Sequence, residues 1–571
     1  MKALLVAINA KFSHTNLAVR AISAYVKMPD VSLPYTEHTI NQSRREILNS
    51  LYDADADVYL FSCYIWNINM VRELVSELRA VRTGSVIVLG GPEVTWNAEE
   101  ILRDLPAVDY VVRGEGEKTI HTLLSCLRKG NKVDCCEGIT YRLGDKIIHT
   151  PDRELLPMNT LPFPYGSDER LENRVIYYES MRGCPFQCSY CLSSIETGVR
   201  TRYLPTVLGE LSWLLQQRVM QVKFVDRTFN FDTGRACDIW RYLIAHDNGV
   251  TGFHFELAGD LLDEASISIL EEARPGLFEL EIGVQSTCSE TLDAIHRKCD
   301  FNTLFNAVKR LRSNGNVHIH LDLIAGLPFE DYHRFASSFN DVYKLRPHQL
   351  QLGFLKVLRG SRMEREKELF GIVCQNNAPY EAFSTNWIEF DKMNRLRQVA
   401  QAVDIYHNSS RFGATVDYLC RYFPDPFTFF DALALSYADA TKQGPISKTG
   451  YYDLLGLFMD QQGIARSEYV QWLCRYDILT HEKPRRMPNW VTMDSRPLFQ
   501  QKIRAFFEDE SKRERYLPGY IGEDYARLER IVHLEVFPFD PRNGQDGETA
   551  LLFDYAVRDV QGLAFVEKIP L

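Results

Sequence analysis

The residues best able to do chemistry are three cysteines on one short stretch, Cys184, Cys188 and Cys191, within Gly183-Cys184-Pro185-Phe186-Gln187-Cys188-Ser189-Tyr190-Cys191. Thiolates are soft ligands that select iron–sulfur clusters or zinc. Spaced CxxxCxxC, they can hold three irons of a cubane and leave the fourth iron open, as catalytic metals generally keep a position open. The competing reading is a zinc loop with a fourth ligand elsewhere, but structural zinc sites usually come as CxxC pairs. The other cysteines are scattered, apart from Cys135-Cys136. Cys374, Cys420 and Cys474 are too isolated for a second cluster and read as buried small hydrophobes.

The elements that must position this loop follow from apolar periodicity. In the first 150 residues, short apolar runs (Leu4 to Asn9, Val31 to His38, Val58 to Ser62, Val86 to Gly90, Tyr110 to Arg113) alternate with amphipathic stretches near 67–82 and 118–128. Such alternation predicts a parallel α/β sheet with helices on both faces, a Rossmann-like, flavodoxin-type domain. Pro34 makes the second strand an edge candidate. A hairpin turning at Gly144-Asp145 follows, then Pro151, Pro157, Pro162 and Pro164, which place a linker at 151–168.

Six further strand–helix units over 169–365 predict a partial (β/α)6 TIM-like barrel, with Cys184 just after its first strand. Along its middle strands Leu280, Ile282 and Val284 alternate with Glu279, Glu281 and Gln285, and Ile319 and Leu321 with His318, His320 and Asp322. Period-two alternation puts the apolar set on the helices and the polar set in the lumen. For Glu279, His318 and His320 the competing reading is paired buried polar groups. Residues 366–571 have helical patterns near 451–480 and 497–508 and read as a mainly helical C-terminal domain that covers the barrel mouth or shapes the pocket.

CxxxCxxC with aromatic Tyr190 before its last cysteine resembles the signature of the radical S-adenosylmethionine (SAM) superfamily. Further matches lie in the right order: Phe224-Val225-Asp226, Glu281-Ile282-Gly283-Val284-Gln285-Ser286, Ala325-Gly326-Leu327-Pro328, and Phe354-Leu355-Lys356-Val357. The resemblance implies a [4Fe–4S] cluster on the three cysteines that reductively cleaves SAM. It implies SAM contacts at Tyr190, Asp226, Glu281, Gln285, Ser286, Gly326 and Lys356. Arg227 departs from the acidic residues usual after Asp226.

In doubly wound sheets ligands sit beyond the strand C-terminal ends. The loops there hold Lys11, Ser13 and His14; Ser62 and Tyr64; Gly90-Gly91-Pro92-Glu93; and Gly114-Glu115. Their order resembles the cobalamin-binding domain fused to many radical SAM enzymes, which implies cobalamin contacts at these residues. The usual Asp-x-His-x-x-Gly signature is absent; His14 lies in the right loop without the Asp and Gly. The competing reading is a degenerate module with no cofactor.

The two resemblances together imply methyl transfer to an unactivated carbon. A cobalamin-dependent radical rearrangement or cyclisation, and a cobalamin-binding sensor with an inactive barrel, are the alternatives. An electron donor of flavodoxin or ferredoxin type is implied as a partner; nothing reads out the substrate. With a net charge of −11, nucleic acid is a poor partner. No run of 18 apolar residues occurs, so no membrane span is expected. The short apolar start, broken by Lys11 and His14, reads as a buried strand and not a signal peptide, which predicts a cytoplasmic protein with reduced thiols.

Overall fold

Seven strands build the first sheet of the computed structural model: β1 (Ala3–Asn9), β2 (Tyr35–Thr39), β3 (Val58–Ser62), β4 (Val86–Gly90), β5 (Tyr110–Val112), β6 (Ile139–Leu143) and β7 (Lys146–His149). The structure describes residues 1–166, 169, 171–195, 198–441, 446–484, 486–559 and 561–571. The strand order is β2-β1-β3-β4-β5-β6-β7, with β1 to β5 parallel and the β6–β7 hairpin added antiparallel. All seven residues of β1 are buried. Leu4, Val6 and Ile8 pack with helices Arg44–Ala54 and Ile68–Val81, and Ala3, Leu5 and Ala7 pack with helices Leu17–Tyr25 and Gly116–Lys129. β2 begins at Tyr35 and not at Val31. Pro34, which has no amide hydrogen, meets the sheet through its carbonyl, which accepts from Leu5 N at 3.0 Å. Because β1 lies between β2 and β3, the loops after β1 and β3 diverge and leave a crevice.

The second sheet has six parallel strands in sequence order: β8 (Val175–Tyr178), β9 (Gln221–Phe224), β10 (Gly252–Leu257), β11 (Phe278–Gln285), β12 (His318–Ala325) and β13 (Gln349–Phe354). β8 and β13 are its two edges and do not pair with each other, so the barrel is open. The β8 edge is taken up by the loop after β1: Val175 N donates to Ser13 O at 2.7 Å and Thr15 N to Val175 O at 3.2 Å. The two sheets are thus stitched together at the loop after β1. Between them the proline-rich stretch packs Leu156, Met158 and Leu161 beside Tyr25. Ser167 and Asp168, at the end of the expected linker, lie outside the described residues.

Burial along β11 alternates residue by residue. Leu280, Ile282 and Val284 join a large core that continues into the C-terminal helices through Met393, Leu396, Phe430 and Leu455. Those helices include Phe390–Val403, Pro426–Thr441, Lys448–Gln461, Glu468–His481 and Arg496–Glu508. Of these, Pro426–Thr441 packs on helix Tyr332–Tyr343, where Phe339 meets Phe427 and Phe430, while Arg496–Glu508 packs on the terminal sheet. The tail thus packs along the flank of the barrel, and its Met393 and Tyr380 reach Gly326 and Glu93 at strand ends. The chain also ends in an antiparallel sheet of β14 (Val532–Asp540), β15 (Gln545–Arg558) and β16 (Ala564–Ile569), which the helical reading of this region missed. Its signal was present: β-branched and aromatic residues in Val532-His533-Leu534-Glu535-Val536-Phe537, then an Asn543-Gly544 turn.

Candidate active site

The C-terminal ends of both parallel sheets open into one cavity of about 870 Å³. The first sheet contributes His14, Ser62, Tyr64, Gly90 to Glu93, Gly114 and Glu115; the second contributes Gly183, Lys223, Arg227, His254, Glu256 and Glu281. Lys11 is exposed outside the lining, and Ser13 is held through its carbonyl by Val175. The lining ends at Leu358 among the described residues, so the C-terminal module supplies no wall.

On the first side the backbone comes close because glycine permits it. Gly91 has φ +111°, and a Cβ there would lie 2.5 Å from Cys63 O. No L side chain fits this junction of the β3 and β4 ends without backbone movement. Tyr64 stacks on Trp66 at 4.4 Å, and Trp66 Nε1 donates to Ile8 O at 3.1 Å. Trp66 lines the cavity and was not singled out from the sequence; two aromatic residues, Tyr64 and Trp66, in one strand-end loop were the available signal. His14 Nδ1 is 3.0 Å from Tyr177 OH. Burial, then the charges of Lys11, Lys223 and Arg174, hold His14 below its ordinary value, which keeps the imidazole neutral near pH 7. Glu93 is tied down at the rear, where its carboxylate accepts from Tyr380 OH at 2.9 Å.

A buried ion cluster joins the Gly114-Glu115 loop to the cysteine loop. Arg182 lies 3.1 Å from Glu115, 2.5 Å from Glu117 and 2.9 Å from Glu179, and Arg200 lies 2.6 Å from Glu115. Burial alone would raise the Glu115 carboxyl, but Arg200, Arg182 and the Leu156 amide outweigh it and hold it below the usual carboxylate range.

Two anchors set the cysteine loop. Gly183 has φ +92°, with Gly198 O only 2.1 Å from where a Cβ would sit. Asp226 is fully buried and accepts from Ser180 N at 2.9 Å, Met181 N at 3.2 Å and Ser180 Oγ. Burial pushes its carboxyl up to about 7 against these hydrogen bonds. Its carboxylate thus holds the loop entry and does not reach the cavity. Beyond it, Cys184 Sγ is 3.4 Å from Thr228 Oγ1. Burial raises the Cys188 thiol, opposed by Arg297, whose Nη1 lies 3.8 Å from its Sγ. Tyr190 packs on the barrel core. Arg227, the departure from the family pattern, lines the cavity 3.7 Å from Glu256, within the field of Cys184, Cys191 and Tyr64.

Of the remaining expected SAM contacts, Glu281 faces the cavity, 3.0 Å from His254 Nε2. Gln285 ends its strand at φ +72°. Ser286 points away: it is buried and donates to Glu330 at 2.7 Å. Gly326, at φ +87°, lies against Met393, and exposed Lys356 meets Glu381 through a backbone bridge. The structure therefore brings Glu281 and the borders of the cysteine loop to the cavity, while Asp226, Ser286, Gly326 and Lys356 lie outside its lining. The donor set fits the groups the sequence implies: three cysteines on one loop whose flanks, Gly183 and Leu192, line the cavity opposite Gly90 and Gly91.

Comparison with known proteins agrees with this geometry. Residues 3–124 match the B12 binding domain, residues 178–342 the radical SAM superfamily, and residues 368–553 a family described as protein of unknown function, DUF4080. Residues 178–342 thus form a radical SAM superfamily domain, with a B12 binding domain ahead of it at residues 3–124. Among individual proteins, it is similar to an uncharacterized methyltransferase of Pyrococcus horikoshii, 28% identical over 48% of this chain and 62% of that protein. It is also similar to the cobalamin-dependent radical SAM methyltransferase TokK of Streptomyces tokunonensis, 23% identical over 62% of this chain and 57% of TokK. The chain thus spans little more than half the length of these relatives. Its fold is that of OxsB, a cobalamin-dependent SAM radical enzyme solved with aqua-cobalamin and SAM, at TM-score 0.58 and 14% identity over 92% of this chain and 82% of OxsB. No helix among the described residues is long and apolar enough to cross a membrane.

Proposed function

We propose that this chain is a cobalamin-dependent radical SAM methyltransferase acting on an unactivated carbon of a substrate not readable from its residues. One observation carries the reading: the cysteine loop and the B12-type loops border one cavity and are locked together by Arg182. In this reading residues 1–150 hold cobalamin, 169–365 form the SAM barrel, and 366–571 brace its flank. Cys184, Cys188 and Cys191 hold a [4Fe–4S] cluster, which with SAM and cobalamin supplies reductive SAM cleavage and a methyl source. The protein's own groups do the positioning. Asp226 fixes the loop entry, Arg297 offers its guanidinium to the Cys188 sulfur, and Glu281 faces SAM. The loops at His14, Tyr64, Gly91 and Gly114 would hold the cobalamin. An electron donor of flavodoxin or ferredoxin type completes the system in the cytoplasm, with no nucleic-acid partner; the net charge of −11 supports the latter.

The test is anaerobic reconstitution with iron, sulfide and cobalamin, followed by SAM and reductant. The reading expects 5′-deoxyadenosine together with S-adenosylhomocysteine. 5′-Deoxyadenosine alone favours rearrangement or cyclisation, and neither product overturns radical chemistry. Cys188→Ala is expected to lose the cluster absorbance and to lower 5′-deoxyadenosine by about a thousandfold or more, since one ligand of three is removed.

A further inference from the structure

The floor of the barrel lumen carries a group of side chains that the proposed chemistry does not use. Glu279 on β11 and His318 and His320 on β12 each offer one ligand atom, and the three atoms lie within 4.8 Å of one another. His320 Nε2 pairs with Glu279 Oε1 at 2.9 Å, and His318 Nδ1, 4.0 Å from the same oxygen, has no hydrogen-bond partner among the described residues. The His320 side chain is nine-tenths buried. A buried ring nitrogen without a hydrogen bond, as in His318, is costly, and it persists where a ligand satisfies it.

The surroundings are built to orient such a ligand set. Gln221 Nε2 donates to Glu279 Oε2 at 2.9 Å, which leaves Oε1 for the histidines. His318 stacks on His348 at 4.7 Å, and His348 Nδ1 accepts from Ile319 N at 3.0 Å. Hydrogen bonds and packing behind the ligating side chains are what hold metal sites in shape. His254 and Glu281 form a second candidate set with His320. Glu281 opens into the cavity, whereas Glu279 and His318 do not line it.

We propose that Glu279, His318 and His320 bind one divalent transition-metal ion of the zinc class at the floor of the lumen, separate from the cysteine loop. Two imidazoles and one carboxylate suit zinc, iron or manganese, and three protein ligands leave a tetrahedral ion one position for water or a substrate oxygen. An ion there leaves Glu281 free to face SAM.

The test adds zinc alone to the full-length, [4Fe–4S]-loaded chain, removes the excess by gel filtration, and counts zinc and iron by elemental analysis. About one zinc per chain is expected beside unchanged iron, falling to less than about a tenth of that in Glu279→Gln and in His318→Asn. No zinc in the parent chain overturns the proposal in favour of plain imidazole–carboxylate pairs. Equal zinc in the parent and both variants overturns it in favour of adventitious binding. The iron count reports separately on the cysteine loop, so a failed cluster and a missing zinc site are told apart. If His318→Asn precipitates, Glu279→Gln, equal in size to the parent side chain, decides alone.

Discussion

The two parallel sheets are built alike and yet offer ligands different surfaces. Every residue of β1 is buried, because helices cover both faces of the first sheet. Along β11 burial alternates from Phe278 to Gln285, because helices cover one face and the other lines the lumen. A doubly covered sheet has only its strand ends to give, so the first domain presents loops: Asn9 to His14, Ser62 to Tyr64, Gly90-Gly91 and Gly114-Glu115. An open barrel gives strand faces as well, so His254, Glu256 and Glu281 reach the cavity from within their strands. The cavity arises where the two kinds of surface meet, and Arg182 holds them in register.

Breaking that seam should have the largest effect. Arg182→Met leaves Glu115, Glu117 and Glu179 buried without their shared cation. A loss of about 3–5 kcal/mol is expected, since uncompensated buried charge is costly. Denaturant unfolding followed by cobalamin fluorescence quenching should show lower stability and weaker cobalamin binding together. If stability falls while cobalamin binding is untouched, the seam does not set the cavity.

The two faces of the barrel sheet should then separate cleanly. Ile282→Ala removes a fully buried side chain from the outer face and should cost about 2–5 kcal/mol. Glu256→Gln on the lumenal face should cost less than about 1 kcal/mol, because its pairing with Arg227 is long and partly exposed. It should instead alter 5′-deoxyadenosine yield in the reconstitution assay. Equal stability losses would contradict the division of faces.

The smallest effect is a pH dependence at the seam. Glu115 has a folded pKa depressed from its ordinary 4.5, so its contribution to stability is present above about that pH and is lost as pH falls through the folded value. Thermal melts should show the parent losing stability more steeply below pH 4.5 than Glu115→Gln does. Parallel curves would mean that Arg182 and Arg200 do not distinguish the charged carboxylate.

Much of the fold was legible in the chain because it rests on local periodicity. All six barrel strands, the β6–β7 hairpin and the helices near 67–82 and 118–128 lie close to where their apolar patterns put them. Terminal sheet β14–β16 was missed because helical periodicity just before it dominated the reading, although Asn543-Gly544 marked its turn. The site was legible wherever a residue type is obligatory. Gly91 and Gly183 are fixed by positive φ and by carbonyls too close for any Cβ.

What local pattern could not convey is where a side chain points once strands pair. Asp226 and Ser286 sit in motifs that resemble SAM contacts, yet Asp226 spends its oxygens on Ser180 and Met181, and Ser286 donates to Glu330. Arg227, set aside as a departure, lines the cavity. These assignments depend on partners tens of residues away, as do the Arg182 seam and the meeting of Glu279 with His318 and His320. The sequence by itself determined the cysteine spacing, the alternation of strands and helices and the polar character of the lumen, because spacing and period are local properties. Only the tertiary structure decided that two ligand surfaces share one cavity, because that rests on contacts that exist only when the sheets are docked.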